Sequence, residues 1–109
     1  MENIFFDKSQ LKHCGKNVII GKTVRIRKPE ECIIGDNVII DDFAYISCSI
    51  EIGNNCHIAG SAVINGGVII NDNCFIGSAA VIQENTEIKK NSIIPANFFF
   101  KKIIKYARI

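Results

Sequence analysis

Apolar residues in this chain recur on a six-residue ruler. From Ile34 to Ile94 an isoleucine returns at every sixth position, through Ile40, Ile46, Ile52, Ile58, Ile64, Ile70, Ile76, Ile82 and Ile88. Two residues before each stands a small or modest side chain: Cys32, Val38, Ala44, Ile50, Cys56, Ala62, Val68, Cys74, Ala80, Thr86 and Ser92. A period of six fits neither an amphipathic helix nor a simple alternating strand, and fixed self-similarity of this kind is the signature of a repeat architecture. The pattern predicts a solenoid in which each hexad is a short strand plus a turn and three hexads close one triangular coil. The isoleucines point inward, and so does the slot two residues earlier, where the coil narrows. Gly21, Gly35, Gly53 and Gly77, with Asp41, Asn65 and Asn71, are expected at corners with unusual backbone angles.

The repeat begins with Cys14, Ile20 and Ile26 at the same spacing. From Ile26 to Ile34 the spacing is eight, so RKPEEC carries two extra residues around Pro29 and predicts a bulged corner. No insertion follows. Residues 1–13 lack the period and are expected to cap the open first coil with Phe5 and Phe6, while 98–109, FFFKKIIKYARI, is expected to close the last coil as a short amphipathic helix. The whole of 1–109 is then a single all-β domain, with its repeat at 14–97.

Positions immediately before each isoleucine point outward, and residues eighteen apart share a face. One face carries Ile39, His57, Phe75 and Ile93; a second carries Tyr45, Val63, Val81 and Phe99; the third carries Glu51, Ile69 and Glu87. Two apolar faces and one charged face suit a threefold assembly that buries two faces per subunit. A homotrimer is therefore expected.

Composition narrows the function. A net charge of +2 over 109 residues gives no electrostatic case for nucleic acid. The opening MENIFFDKSQ lacks the apolar run that export or membrane spanning requires, so no membrane insertion is expected. Of the five cysteines, Cys32, Cys56 and Cys74 fill the small inward slot, Cys14 falls on the isoleucine position, and Cys48 alone sits at a corner. They read as apolar fillers in a reducing cytoplasm rather than as a disulfide framework.

The hexads resemble those of the hexapeptide-repeat, left-handed parallel β-helix acyltransferases from about Cys14 to Asn97, and IGDNVIIDDFAYIS followed by IEIGNNCHIAG is similar to the sugar acyltransferase branch. The resemblance implies a homotrimer that moves an acyl group, usually from acetyl-CoA, to an amine or hydroxyl of a sugar acceptor at sites between subunits. It also implies that His57 is the general base, since imidazole exchanges a proton near neutral pH. In another branch the base lies nine residues upstream and is followed by an acidic residue; Cys48 and Ser49 stand there in this chain. Relatives often carry a long corner loop and a glycine–proline motif before the tail, where this chain has neither insertion nor motif but IIPANFFF.

The corner after the His57 face presents Asp41 with Asp42, Ala59 with Gly60, Gly77 with Ser78, and Pro95 with Ala96. Small residues from the second level downward suggest a groove for a pantetheine arm along Ala59, Gly60, Gly77, Ser78 and Ala79, with Pro95 and Ala96 below. Lys101 and Lys102 are candidates to meet the phosphates of CoA. Asp41 and Asp42 stand on the acceptor side of His57, where a carboxylate would orient the imidazole or bind the acceptor, or simply make the turn. Tyr45 and Asn65 are further candidates from a neighbouring subunit. No metal is expected: the carbonic anhydrase of this fold needs three histidines per site, and the chain has two. An ice-binding solenoid needs ranks of outward threonine, and only Thr23 and Thr86 occur. The competing reading is a catalytically silent hexapeptide trimer serving as an assembly partner.

Overall fold

The computed structural model describes residues 2–101. Fifteen two-residue strands form three parallel sheets of five strands each, and consecutive strands fall in different sheets, so the chain winds as the expected parallel β-helix, of about five turns. The sheets are the three predicted faces: Ile19, Ile39, His57, Phe75 and Ile93 lie on one, Arg25, Tyr45, Val63, Val81 and Phe99 on the next, and His13, Ile33, Glu51, Ile69 and Glu87 on the third. The extents, 52 × 25 × 21 Å, are those of a short rod.

Burial explains why the period holds. Every ruler isoleucine from Ile34 to Ile94 is buried, and the slot two residues earlier is buried from Cys32 to Thr86. Burying an isoleucine contributes roughly 2–3 kcal/mol relative to exposure. A two-residue strand has no such burial by itself, so the core exists only through coil-on-coil stacking. Cys56 and Cys74 do more than fill space: their thiols point at the carbonyl oxygens of Asn71 and Lys89, each 3.1 Å away, at corners where alanine would offer no donor. Burial pushes the Cys32 thiol up to about 12. All five cysteines are free.

The eight-residue spacing becomes a short 3-10 turn, Pro29–Glu31. Above it stacked residues differ by 20, as in Ile19 with Ile39; below it they differ by 18, as in Ile39 with His57. At the N-terminus Phe6 and Leu11 join the core, and the Asn3 amide donates to the carbonyls of Gly21 and Val24. Phe5 does not bury; it stays about half exposed beneath the Arg25 guanidinium. At the other end the strand Phe99–Phe100 pairs with Val81–Ile82, so the ladder runs past the expected boundary at 97. The expected helix falls mostly on residues 102–109, which lie outside the described residues, as does Lys102.

The unusual backbone angles fall elsewhere than the sequence suggests. Gly21, Gly35, Gly53, Gly77, Asp41, Asn65 and Asn71 all lie outside the left-handed region. It is occupied instead by the third residue after Cys14 and after each isoleucine from Ile34 to Ile94: Asn17, Asn37, Phe43, Ser49, Asn55, Ser61, Gly67, Asn73, Ala79, Asn85, Asn91 and Asn97. Asparagine dominates because its side chain tolerates this conformation better than other L-residues. Where the residue directly after the isoleucine is glycine, the reason is close stacking. A Cβ on Gly77 would meet the backbone nitrogen of Ala96 and stand 2.6 Å from the Pro95 carbonyl carbon.

Gly77→Ala is therefore expected to destabilise the fold by about 2–3 kcal/mol in urea unfolding, whereas Gly60→Ala, whose Cβ would meet only the Asp42 carbonyl oxygen at 3.2 Å, costs less than about 1 kcal/mol. Thiol labelling of the native protein at pH 8 is expected to reach Cys48, and Cys14 more slowly, and to spare Cys32, Cys56 and Cys74 until denaturant is added.

Candidate active site

Strand alternation turns both Ile39 and Asp41 away from the core, on either side of buried Ile40. One coil below, His57 lies opposite Ile39, and Asp41 faces Ala59 across the ladder, its backbone N–H bonded to the carbonyl of Ile58 at 2.8 Å. Ala59 is too small to block the space above it, so the Asp41 carboxylate reaches back along the face and its Oδ2 stands 2.7 Å from His57 Nε2. The two side chains are 48 % and 39 % exposed. Phe75, on the next coil, meets the imidazole edge-on with centroids 5.2 Å apart. A carboxylate accepts and does not donate, so Nε2 carries the hydrogen whether the ring is neutral or charged. In the neutral ring the basic lone pair is then on Nδ1, which has no bonded partner among the described residues.

The adjacent Asp42 does different work. Its Oδ1 accepts from the Thr23 hydroxyl at 2.9 Å and from the Thr23 N–H at 3.3 Å, and the Thr23 hydroxyl in turn accepts from the Phe43 N–H at 3.0 Å. Asp42 thus builds the corner, and Asp41 touches the histidine. Sequence pattern alone does not separate the two, because both stand in the same corner dipeptide. Asn65 also does structural work, its amide donating to the Ile82 carbonyl at 2.9 Å. Tyr45 is half-buried on the adjoining sheet. Cys48 and Ser49 belong to a different corner, after Ile46, where the Ser49 hydroxyl bonds Glu31 at 2.9 Å.

Below the histidine the small-residue corner is a continuous column. The N–H groups of Ser61, Ala79 and Asn97 bond the carbonyls of Asp42, Gly60 and Ser78 at 3.1, 3.0 and 2.8 Å. Ala59 and Gly77 are buried within it; Ser78, Ala79, Pro95 and Ala96 are exposed, Gly60 is half-exposed, and Lys101 is exposed. The surface open to a ligand is therefore the outer strip from Gly60 to Ala96. Above the histidine, Lys8, Ile19, Gly21, Asp41 and Asp42 line a hollow of about 300 Å³. A larger hollow, about 540 Å³, lies under residues 2–8 and includes neither His57 nor either aspartate. Among the described residues no group of three or more histidine, cysteine, aspartate or glutamate side chains is placed to hold a metal ion, and no helix is long and apolar enough to cross a membrane.

Residues 31–66 match the family model described as bacterial transferase hexapeptide (six repeats). No curated protein matches the sequence. Among solved structures, a maltose O-acetyltransferase from Clostridium difficile 630 is similar at 17 % identity and TM-score 0.51, over 83 % of this chain and 67 % of that one. A hexapeptide-repeat acetyltransferase from Vibrio cholerae is similar at 16 % identity and TM-score 0.48, over 83 % and 68 %. The likeness to the maltose O-acetyltransferase, at that identity, speaks to the fold alone. Residues 31–66 thus carry the hexapeptide repeat of that family model, and the fold is the one the maltose O-acetyltransferase shares.

The two aspartates should separate experimentally. Asp42→Ala is expected to lower stability by about 1 kcal/mol through loss of the Thr23 bonds, and Asp41→Asn by less than about 0.5 kcal/mol, both measured by urea unfolding.

Proposed function

We propose that the chain is an acetyltransferase that carries an acetyl group from acetyl-CoA to a hydroxyl or amine of a sugar, with His57 as general base. The observation that carries this reading is the Asp41–His57 pair, 2.7 Å apart on an outward apolar face directly above a column of small residues. Asp41 holds the imidazole by Nε2 and leaves Nδ1 to work. As the acceptor oxygen or nitrogen attacks the thioester carbonyl carbon, His57 Nδ1 takes its proton, and Asp41 stabilises the imidazolium. The C–S bond breaks, the thiolate of CoA leaves, and His57 returns the proton to it. No acyl-enzyme is needed, and no metal.

The donor suits the strip below His57. Gly60, Ser78, Ala79, Pro95 and Ala96 project little or nothing, which lets a thin pantetheine arm lie against the backbone, and Lys101, exposed at the next corner after the strand Phe99–Phe100, is the candidate point charge for phosphate. The fold-level likeness to a maltose O-acetyltransferase is in keeping with a sugar acceptor. A homotrimer completes the site: Ile19 and Ile93, two strands from His57 on either side of the same sheet, are 62 % and 75 % exposed, and a neighbouring subunit that covers this apolar face supplies the second wall. The free thiols agree with a reducing cytoplasm.

Calorimetric titration with acetyl-CoA is expected to give one site per subunit, in a particle whose light-scattering mass is three times 12.1 kDa. His57→Ala is expected to lower kcat by about 10²–10⁴ while acetyl-CoA affinity stays within about threefold, and Asp41→Asn to lower kcat by less. A folded trimer that binds no acetyl-CoA would defeat this reading in favour of an assembly protein without chemistry.

A further inference from the structure

Twelve of the described residues occupy the left-handed region at the same hexad position, and eleven of them are asparagine, serine, alanine or glycine. The twelfth is Phe43, at φ 66°. A bulky L-residue held there is strained, and the strain persists only where surrounding structure imposes it. Here the Thr23 hydroxyl imposes it by accepting from the Phe43 N–H, and Asp42 fixes Thr23 by accepting from its hydroxyl. Nothing in the core calls for a phenylalanine at this place, because its side chain is 69 % exposed. The coil would be built at least as well by the asparagine found at most of the equivalent positions.

Its location gives the strain a use. Phe43 heads the column whose lower members are Ser61, Ala79 and Asn97, so it rises at the top of the small-residue strip, one coil above. It is two residues from Asp41, whose carboxylate meets His57, and follows Asp42, whose Oδ1 alone is committed to Thr23. Phe43 follows directly on Asp41 and Asp42, which line the hollow of about 300 Å³ above His57, and an exposed aromatic face next to carboxylates is the chemistry that recognises a pyranose. The C–H face of the sugar packs on the ring, and its hydroxyls bond the charged groups.

We infer that Phe43 is the platform on which the acceptor sugar ring stacks, and that it sets the preference of the site for a cyclic sugar over an acyclic hydroxyl or amine. This rests on the transferase reading for the reaction, but not for the contact itself. The platform positions the acceptor; it does not touch the thioester.

The test uses the full chain and two variants. Phe43→Asn removes the ring and relieves the strain; Phe43→Trp keeps an aromatic face. Saturation-transfer NMR with methyl α-glucoside, methyl β-galactoside and N-acetylglucosamine, against sorbitol and ethanolamine as acyclic controls, is expected to show transfer to at least one pyranoside ring in the wild type and in Phe43→Trp. In Phe43→Asn that transfer falls at least fivefold, while its melting midpoint rises by about 4 °C. In acetyl-transfer assays with the pyranoside that binds, Phe43→Asn raises the acceptor KM at least tenfold and leaves the acetyl-CoA KM and the light-scattering mass unchanged. Transfer to no pyranoside, equal transfer to the acyclic controls, a change in acetyl-CoA KM, or a change in mass would each overturn the platform, the last two assigning Phe43 to the donor strip or to a subunit contact. Pyranoside contact through Phe43 without acetyl-CoA binding would sustain the platform and sink the transferase reading, so the two fail separately.

Discussion

Hydrogen bonds between coils are the constraint on which the rest depends. Each two-residue strand bonds only to the strands above and below it, so every residue is stacked on its counterpart eighteen positions along, or twenty above the Pro29–Glu31 turn. A side chain suited to one coil is thereby asked to suit its neighbours. Buried positions answer with columns of isoleucine and of small residues, and corners answer with columns of asparagine, in which Asn17, Asn37 and Asn55 link amide to amide at 3.1 and 3.2 Å. Stability is the sum of these nearest-neighbour contacts, which is why so short a chain can carry a core.

The same stacking builds the site without a loop. His57 needs only to interrupt an apolar column to become the one imidazole between Ile39 and Phe75, and Asp41 needs only a small residue beneath it to reach that ring. The function proposed here then rests on departures from the repeat. Each stands where the regular choice would have been at least as good for the coil: asparagine for Phe43, a small residue for Asp41, an aliphatic one for His57. The neighbouring Asp42 and Thr23 hold the corner on which these departures sit.

The two kinds of polar residue at that corner were not separable by pattern. Asp41 and Asp42 are adjacent and chemically identical, and only the direction of each carboxylate decides that one bonds a histidine and the other a threonine. Gly77 carries the same lesson. Its smallness suits a ligand groove, yet the glycine is buried, and its missing Cβ makes room for the backbone of the next coil. The strip proposed to face the donor is correspondingly narrower than the run of small residues in the sequence.

The sequence by itself determined the coil: its period, its three outward faces, the turn at Pro29 and the identity of the inward columns. These are legible because burial recurs, and a repeated physical demand leaves a repeated residue type. What only the tertiary structure decided is local and directional. It placed the left-handed backbone on the third residue after each isoleucine from Ile34 to Ile94 rather than on the first, chose Asp41 over Asp42, buried Phe6 and left Phe5 and Phe43 outside. Those outcomes turn on dihedral angles and side-chain reach across neighbouring coils, quantities that depend on where the adjacent turn of backbone lies and so have no periodic trace in the order of residues.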